Sequence, residues 1–437
     1  MSEGPARMSE GPASVTEEAG APSGSPRRSA LAELILVVVA GVVAAVLTNT
    51  TAILAVVLAI VVMVMLHELG HFVTAKAADM KVTEYFLGFG PRLWSVRRGE
   101  TEYGVKAIPA GGYVRIIGMS NLEEVEPADE PRTYRQKPFW RRLSVAMAGS
   151  VVHFALALLL LWSAYLMLGV PSGQQVVIGG LAKIDGVANP AREAGLRAGD
   201  VLVSVGGHRV SGVGSVTSAI KPIIGQAIPV VVDRDGRRLT FYVTPVDAST
   251  HHEQGARTPK ASEGVIGVDL GMATAFASAS PLHTFASAAA GIGGISWQTL
   301  VSVGHFFSPS GISSYTHQLS APAASQASPD TNRVESVIGI VRLASQAAHT
   351  GVATVLQLLV ALNVFIGIFN MIPLLPLDGG HVAVAVYERL RSRRGRRYRV
   401  DAAKLLPATY AVVVFIMILG LTAVYLDIAH PLANPFR

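Results

Sequence analysis

Apolar residues in this chain gather into long unbroken runs, with polar stretches of two different kinds between them. The runs Leu31–Leu47, Ala52–Ala75, Leu143–Leu168, Val352–Leu377 and Leu405–Leu426 predict helices that cross a membrane. A helix needs about 20 apolar residues to do so, and the first run falls a little short. Thr48-Asn49-Thr50-Thr51 is then a tight hairpin between the first two spans. The polar segment Lys81–Arg142 holds three alternating, aromatic and β-branched runs, Leu93–Arg98, Thr101–Ile108 and Tyr113–Ile117. With Gly99-Glu100 and Pro109–Gly112 as turns, these predict short strands.

Gly173–Val246 is polar and Gly-rich, with strands expected at Val201–Val205, Ile228–Val232 and Leu239–Val243 and a helix at Val216–Ile224. His251–Glu263 reads as a linker and Ser308–Asn332 as a Ser/Pro/Ala-rich loop. Between them, Pro281–Phe307 is apolar but diluted by Gly, Ala and Ser, which suits an interfacial helix or one packed on the spans. A full crossing there would invert every later segment. Residues 1–30, with MSEGPA at both Met1 and Met8, have the composition of a disordered tail.

The chain divides on this reading into the tail 1–30, an extra span 31–47, and a first core half 52–170. An inserted domain 173–247 and a linker and interfacial region 248–351 follow. A span 352–380, a basic loop 381–404 and a last span 405–427 complete it. The fold class is a transmembrane helical bundle with a membrane-associated β region and an inserted α+β domain.

Charge changes this picture only by orienting it. The 437 residues are half apolar and 15% charged, and the net charge of +6 is local. Arg389, Arg391, Arg393, Arg394, Arg396, Arg397 and Arg399 lie between two spans, and Arg132, Arg135, Lys137, Arg141 and Arg142 precede another. Both clusters mark the cytoplasmic side, which puts the N-terminus inside and residues 173–247 outside. The lipid bilayer, not nucleic acid, is the partner this charge implies. The chain has no cysteine, so a bound metal must use His, Asp or Glu.

Chemistry sits at His67-Glu68-Leu69-Gly70-His71, inside the second apolar run. Histidines four apart on a helix share a face and can hold one Zn²⁺, and the Glu between them can act as general base on a metal-activated water. Ionisable groups at membrane depth are costly, so they mark function. The bland alternative is a chance match that caps the helix end.

Ala194-Gly195-Leu196-Arg197-Ala198-Gly199-Asp200-Val201-Leu202 resembles the G-L-x-x-G-D-x-[IVL] signature of bacterial PDZ domains, which bind extended peptides by sheet-edge addition. Ile178-Gly179-Gly180-Leu181 is the candidate binding loop. Together with His67–His71 and the segment Asn370-Met371-Ile372-Pro373-Leu374-Leu375-Pro376-Leu377-Asp378-Gly379-Gly380-His381, this insert resembles bacterial site-2 proteases, the zinc intramembrane metalloproteases. Tyr85–Met119 is most similar to the branch that processes membrane-bound anti-sigma factors.

The resemblance implies that Asp378 is the third zinc ligand and that Asn370 helps hold substrate or its oxyanion. Zinc sites in enzymes commonly take three protein ligands plus water, which agrees. Strands around Ile108–Arg115, with Gly111 and Gly112, would receive an unwound substrate by edge pairing. The family's G-P-x-x-N is replaced by Gly149-Ser150-Val151-Val152-His153, so His153 becomes a possible active-site neighbour. The substrate class implied is a single-span, anti-sigma-factor-like protein of the bacterial plasma membrane, already trimmed by an upstream site-1 protease. The PDZ-like insert would exclude untrimmed ectodomains. A membrane adaptor without catalysis, or a peptidase facing water, remain the alternatives.

Overall fold

The computed structural model describes residues 26–48, 50–119, 123–184, 187–251, 262–320, 334–392 and 398–429. The expected tail up to residue 25, most of the linker after His251, residues 321–333 and Arg393–Arg397 lie outside the described residues. Helices α1 (Pro26–Leu47) and α2 (Thr51–Ala77) come first, then strands β1 (Val82–Arg98) and β2 (Thr101–Ile116) and helix α3 (Phe139–Leu168). Next are β3 (Val170–Leu181), α4 (Pro190–Glu193), β4 (Val201–Val205), β5 (His208–Arg209) and α5 (Val213–Ile220). Strands β6 (Ile228–Arg234), β7 (Arg237–Val243), β8 (Val246–Asp247), β9 (Gly264–Val265) and β10 (Val268–Ala277) follow. The chain ends in α6 (Pro281–Phe306), α7 (Pro309–Ser320), α8 (Val337–Thr350), α9 (Val352–Asn370), α10 (Asp378–Arg391) and α11 (Ala402–Ala429).

Among the described residues, four helices are long and apolar enough to cross a membrane: Ile53–Ala77, Phe139–Leu168, Val352–Asn370 and Ala402–Ala429. The shortest, with 19 residues, rises about 28 Å, close to the thickness of a bilayer's hydrocarbon. The N-terminal run also forms a helix, α1, and its segment Ile35–Leu47 is apolar among the described residues. Thr48 Oγ1 donates to Ala44 O at 2.7 Å and meets Thr50 Oγ1 at 2.8 Å, so the expected hairpin is built by its threonines.

Two compact units divide the described residues. The first runs to His153 and adds Ser308–His349 and the residues from Ile366; the second is Phe154–Phe307 with Thr350–Phe365. In the first, the three short strands expected from the sequence are two long, bent ones. Glu84–Leu87 pairs with Gly112–Arg115 on one side and Glu102–Val105 on the other, while Trp94–Arg98 pairs with Thr101–Val105. Gly112–Arg115 is therefore an outer rung. Pro109–Gly112 is not a free turn but part of β2, where pairing lapses between Ile108 and Gly112. The bend in β1 needs Gly88: its φ is +86°, and a Cβ there would lie 2.7 Å from Ile108 O.

A small core of Ala75, Met80, Val82, Ile116, Tyr134 and Val145 joins the end of α2 to the sheet and to α3. At its rim Glu100 takes both Arg132 guanidinium nitrogens, at 2.7 and 2.9 Å, and also Lys76. The Arg132 hydrogen bonds, with Lys76, hold the Glu100 carboxyl down at about 2.

The second unit holds an antiparallel sheet in the order β10-β3-β4-β6-β7. Its core is Val176, Ile178, Leu196, Leu202, Val216, Val230, Val232 and Val243, with α5 contributing Val216 and Ile220. Ile178–Leu181 is not a loop. It is part of β3, paired with β10 on one side, and Ile178 bonds Asp200 O and Gly199 N on the other. Within Pro281–Phe307, Pro281–Phe306 forms α6, which is not among the four crossing helices found in the described residues. In the expected Ser/Pro/Ala loop, Pro309–Ser320 is instead helix α7: Ser308 Oγ accepts from Gly311 N, and Tyr315 is buried with its hydroxyl on Thr422. α8 falls within the expected linker and interfacial region; Asp427 Oδ2 accepts from Ser336 N and Gly339 N and so caps its start.

Candidate metal centre

The i, i+4 spacing of His67 and His71 places both rings on one face of α2, with ring centroids 4.8 Å apart. Their Nε2 atoms are 3.2 Å apart. Asp378 Oδ2 lies 3.5 Å from His67 Nε2 and 3.2 Å from His71 Nε2. A tetrahedral zinc with ligands at about 2.0–2.1 Å requires donor atoms separated by about 3.3 Å. These three separations fit that requirement. Asp378 Oδ2 is buried without a hydrogen-bond partner, as an atom reserved for a metal would be. His71 Nδ1 lies 2.8 Å from Val145 O; a carbonyl can only accept, so Nδ1 carries the proton and Nε2 keeps a lone pair for the metal.

Asp378 reaches the site from a break in the fourth apolar run. The sequence suggests one span over 352–380, bent at Pro373 and Pro376, with Asn370 two turns before Asp378 and facing much the same way. Instead α9 ends at Asn370, and α10 starts at Asp378 as a separate helix. Pro373 and Pro376 account for the break, since proline cannot continue the hydrogen-bond ladder. The intervening turn folds back on the glycine pair: a Cβ on Gly379 would lie 2.3 Å from Met371 O, and one on Gly380 2.6 Å from Leu375 N. Asp378 thus opens a helix. It does not terminate one. Asn370 is half-buried at the end of α9, and Asn363, one of the buried polar residues, donates to Leu359 O of its own helix.

Glu68 is half-buried beside the donor set. Gly112 packs directly on it: a Cβ there would lie 3.2 Å from Glu68 Cγ and 3.0 Å from Met65 Sδ. Gly111 is one residue farther out, against the Phe89 ring. The outer rung of the sheet therefore passes the proposed base at its glycine. His153 is 1% exposed, with its ring 4.9 Å from that of His67. It is not part of the set His67, His71 and Asp378, whose ligand atoms lie within 4.8 Å of one another. His381 faces the Tyr134 ring at 6.3 Å and is likewise outside that set.

Two residues matter that sequence reasoning passed over. Gly149 lets α3 approach the histidines: a Cβ there would lie 2.2 Å from His67 Cε1 and 2.5 Å from His71 Nε2. Its place four residues before His153 was the available signal. Tyr85 donates to Met65 O at 2.7 Å and packs against Phe72, so one side chain of the sheet grips α2 on both sides of the motif. Nothing in the spacing of β1 announces that contact.

The sequence profile of peptidase family M50 matches residues 55–419. The chain is 35% identical over 397 residues to the zinc metalloprotease Rip1 of Mycobacterium tuberculosis, covering 84% of this chain and 95% of that protein. Rip1 of Mycolicibacterium smegmatis is 32% identical over 395 residues, covering 85% and 95%. A putative zinc metalloprotease of Clostridium acetobutylicum is 25% identical over 370 residues, with the same coverage.

Proposed function

Because the chain belongs to peptidase family M50 and is a multi-pass zinc metalloprotease, we propose that it cleaves a peptide bond in or near the transmembrane helix of a single-span protein. The observation that carries this reading is the convergence of His67, His71 and Asp378 from an apolar span and the helix start beyond another. Zinc, when bound, supplies the Lewis acid that activates water and polarises the scissile carbonyl. Glu68 takes the water's proton and hands it to the leaving amine. Asn370 offers a neutral donor to substrate or to the developing oxyanion. His153, whose ring lies 4.9 Å from that of His67, acts as a positioning residue.

A helical substrate hides its carbonyls in its own hydrogen bonds, so it must unwind before cleavage. The rung Gly112–Arg115 has Glu84–Leu87 as its strand partner and an opposite edge to offer; a substrate strand added there runs past Glu68. In the inserted domain, proposed to be PDZ-like, peptide recognition belongs at β10, which has one sheet neighbour among the described residues. The substrate is an anti-sigma-factor-like protein trimmed beforehand by a site-1 protease, and the insert filters untrimmed chains. The basic clusters put the N-terminus in the cytoplasm and the insert outside.

The test uses purified full-length protein in liposomes with a single-span substrate. Glu68→Gln is expected to abolish cleavage while zinc stays at one per chain, because Glu68 acts on water and is no ligand. Cleavage surviving in Glu68→Gln would overturn the assignment of Glu68 as the base, and absence of cleavage by the wild type would favour an adaptor.

A further inference from the structure

Beyond the metal site, α10 and the first turns of α11 enclose a cavity with two ends. The inner end, about 140 Å³, is lined by Tyr134, Arg142, His381, Glu388 and Arg399. The wider end, about 480 Å³, is lined by Leu374, Ala383, Tyr387, Ala408 and Val412. Leu375, Val384, Val400, Leu405 and Thr409 line both, so the two ends adjoin. One end is apolar and the other cationic.

The charges at the inner end are unevenly matched. Arg142 Nη1 pairs with Glu388 at 2.7 Å, and its guanidinium lies 5.2 Å over the Tyr134 ring. Its Nε is buried and has no hydrogen-bond partner. Arg135 is held by Glu130. Arg399 donates to the neutral amide of Gln136 at 2.7 Å and has no carboxylate within ion-pair distance among the described residues. Arg399 thus lacks a direct ion pair among the described residues, with Glu130 acting on it only from a distance, and one buried N–H lacks an acceptor.

We propose that this cavity binds an anionic phospholipid, with an acyl chain in the groove between α10 and α11 and the phosphate at Arg399 and the Nε edge of Arg142. A phosphodiester supplies both missing things, a negative charge and acceptor oxygens. Basic pockets between transmembrane helices select anionic head groups for this reason. A zwitterionic lipid brings its own ammonium, which Arg399 repels. Asp378 opens α10, so an occupied cavity also braces the helix that carries the third metal-binding residue.

The experiment is native mass spectrometry of the full-length protein from mixed micelles of dioleoylphosphatidylglycerol and dioleoylphosphatidylcholine. The wild type is expected to retain the anionic phosphatidylglycerol preferentially. Arg399→Gln should lower that retention about fivefold, the weight of one basic residue at an anionic surface. Ala408→Trp, which fills the groove, should abolish it. Glu388→Gln should raise it, because Arg142 then lacks its counter-ion. Equal retention of both lipids overturns the proposal. So does a preference that survives both Arg399→Gln and Ala408→Trp, since it would belong to the basic loop. If Ala408→Trp leaves lipid retention intact but blocks binding of a substrate helix, the groove is a protein site and the proposal fails. Should Ala408→Trp or Glu388→Gln not fold, Arg399→Gln on the exposed side decides alone.

Discussion

The sheet domain and the spanning helices place apolar surface differently. In β6, burial alternates along Ile228–Arg234, with Ile228, Val230 and Val232 inside and polar Asp233 and Arg234 toward the surface end. In the helices, Leu58, Val62, Leu159 and Ile418 are exposed, while His67, His71 and His153 are among the buried residues. The difference follows from the solvent. Water drives apolar groups together, but lipid is as apolar as leucine and gives no such drive between helices. Polar groups must find partners inside the protein. Hydropathy therefore reads as burial in one region and as outward exposure in the other.

The sharpest break of that contrast is to damage the polar interior of the helices. Asp378→Ala removes one of three donor atoms, and the remaining two on α2 cannot close the site. Zinc content and cleavage should both be lost, with the protein still in the membrane. Gly149→Ala should act nearly as strongly although it removes no donor atom. Its methyl would occupy the space of the His67 ring, and the displaced imidazole should cost about ten- to a hundredfold in zinc affinity, as outer-sphere changes do. Zinc measured by mass spectrometry at wild-type level in Gly149→Ala would show that α3 yields easily.

Next in size is the converse test in the sheet domain. Leu202→Ala empties part of its core, where Leu202 is 3% exposed. A buried leucine truncation costs about 2–5 kcal/mol. Hydrogen exchange should quicken in β4 and β6, with zinc content unchanged. Loss of zinc in Leu202→Ala would mean that the two regions do not keep separate cores.

These expectations show what the sequence made legible. His67, His71 and Asp378, named from motif and resemblance, are the residues whose ligand atoms converge. Apolar runs stood out because lipid demands them without interruption. Between Asn370 and Asp378 the prolines announce a bend, but the run stays apolar through them, so the full break into two helices does not show in hydropathy. Ile178–Leu181 looked like a loop because of its glycines, yet pairing on both sides makes it strand. α7 and α8 are set by tertiary contacts, Tyr315 to Thr422 and Asp427 to Ser336, from positions about a hundred residues away. Local pattern cannot carry such information.

A smaller effect separates the regions by pH. Asp200 is 1% exposed and takes two hydrogen bonds from Arg234, at 2.6 and 2.7 Å. Burial alone would raise its carboxyl, but Arg234 and the Arg197 N–H outweigh it and hold the group below the usual carboxylate range. The unfolded chain, with a value of about 3.9, binds the proton more readily. The stabilisation is therefore complete above that value and is lost as pH falls through the lower folded one. Between about pH 5 and pH 2, exchange in β4 and β6 should quicken more in the wild type than in Asp200→Asn, which has no proton to gain. Parallel profiles would show that the pair does not govern the acid response.

The smallest effect is expected at Arg92, and it marks where the comparison between regions should vanish. Arg92 pairs with Glu102 on the bent sheet, but its side chain is 58% exposed. Ser95 Oγ also donates to Glu102 at 2.6 Å, so the carboxylate keeps a partner when the arginine goes. Water screens an exposed pair and competes for both ions, which leaves such contacts worth about 0–1 kcal/mol. Arg92→Ala should thus leave thermal stability within about 0.5 kcal/mol, the range of ordinary surface changes. The contrast is with Glu100 a few residues away, gripped by Arg132 and Lys76 at the hairpin turn. A loss above about 1 kcal/mol in Arg92→Ala, by thermal unfolding in detergent, would mean that the pair sits in a less polar medium than water. That outcome would move the lipid boundary onto β1 and extend the inverted burial of the helices to the sheet itself.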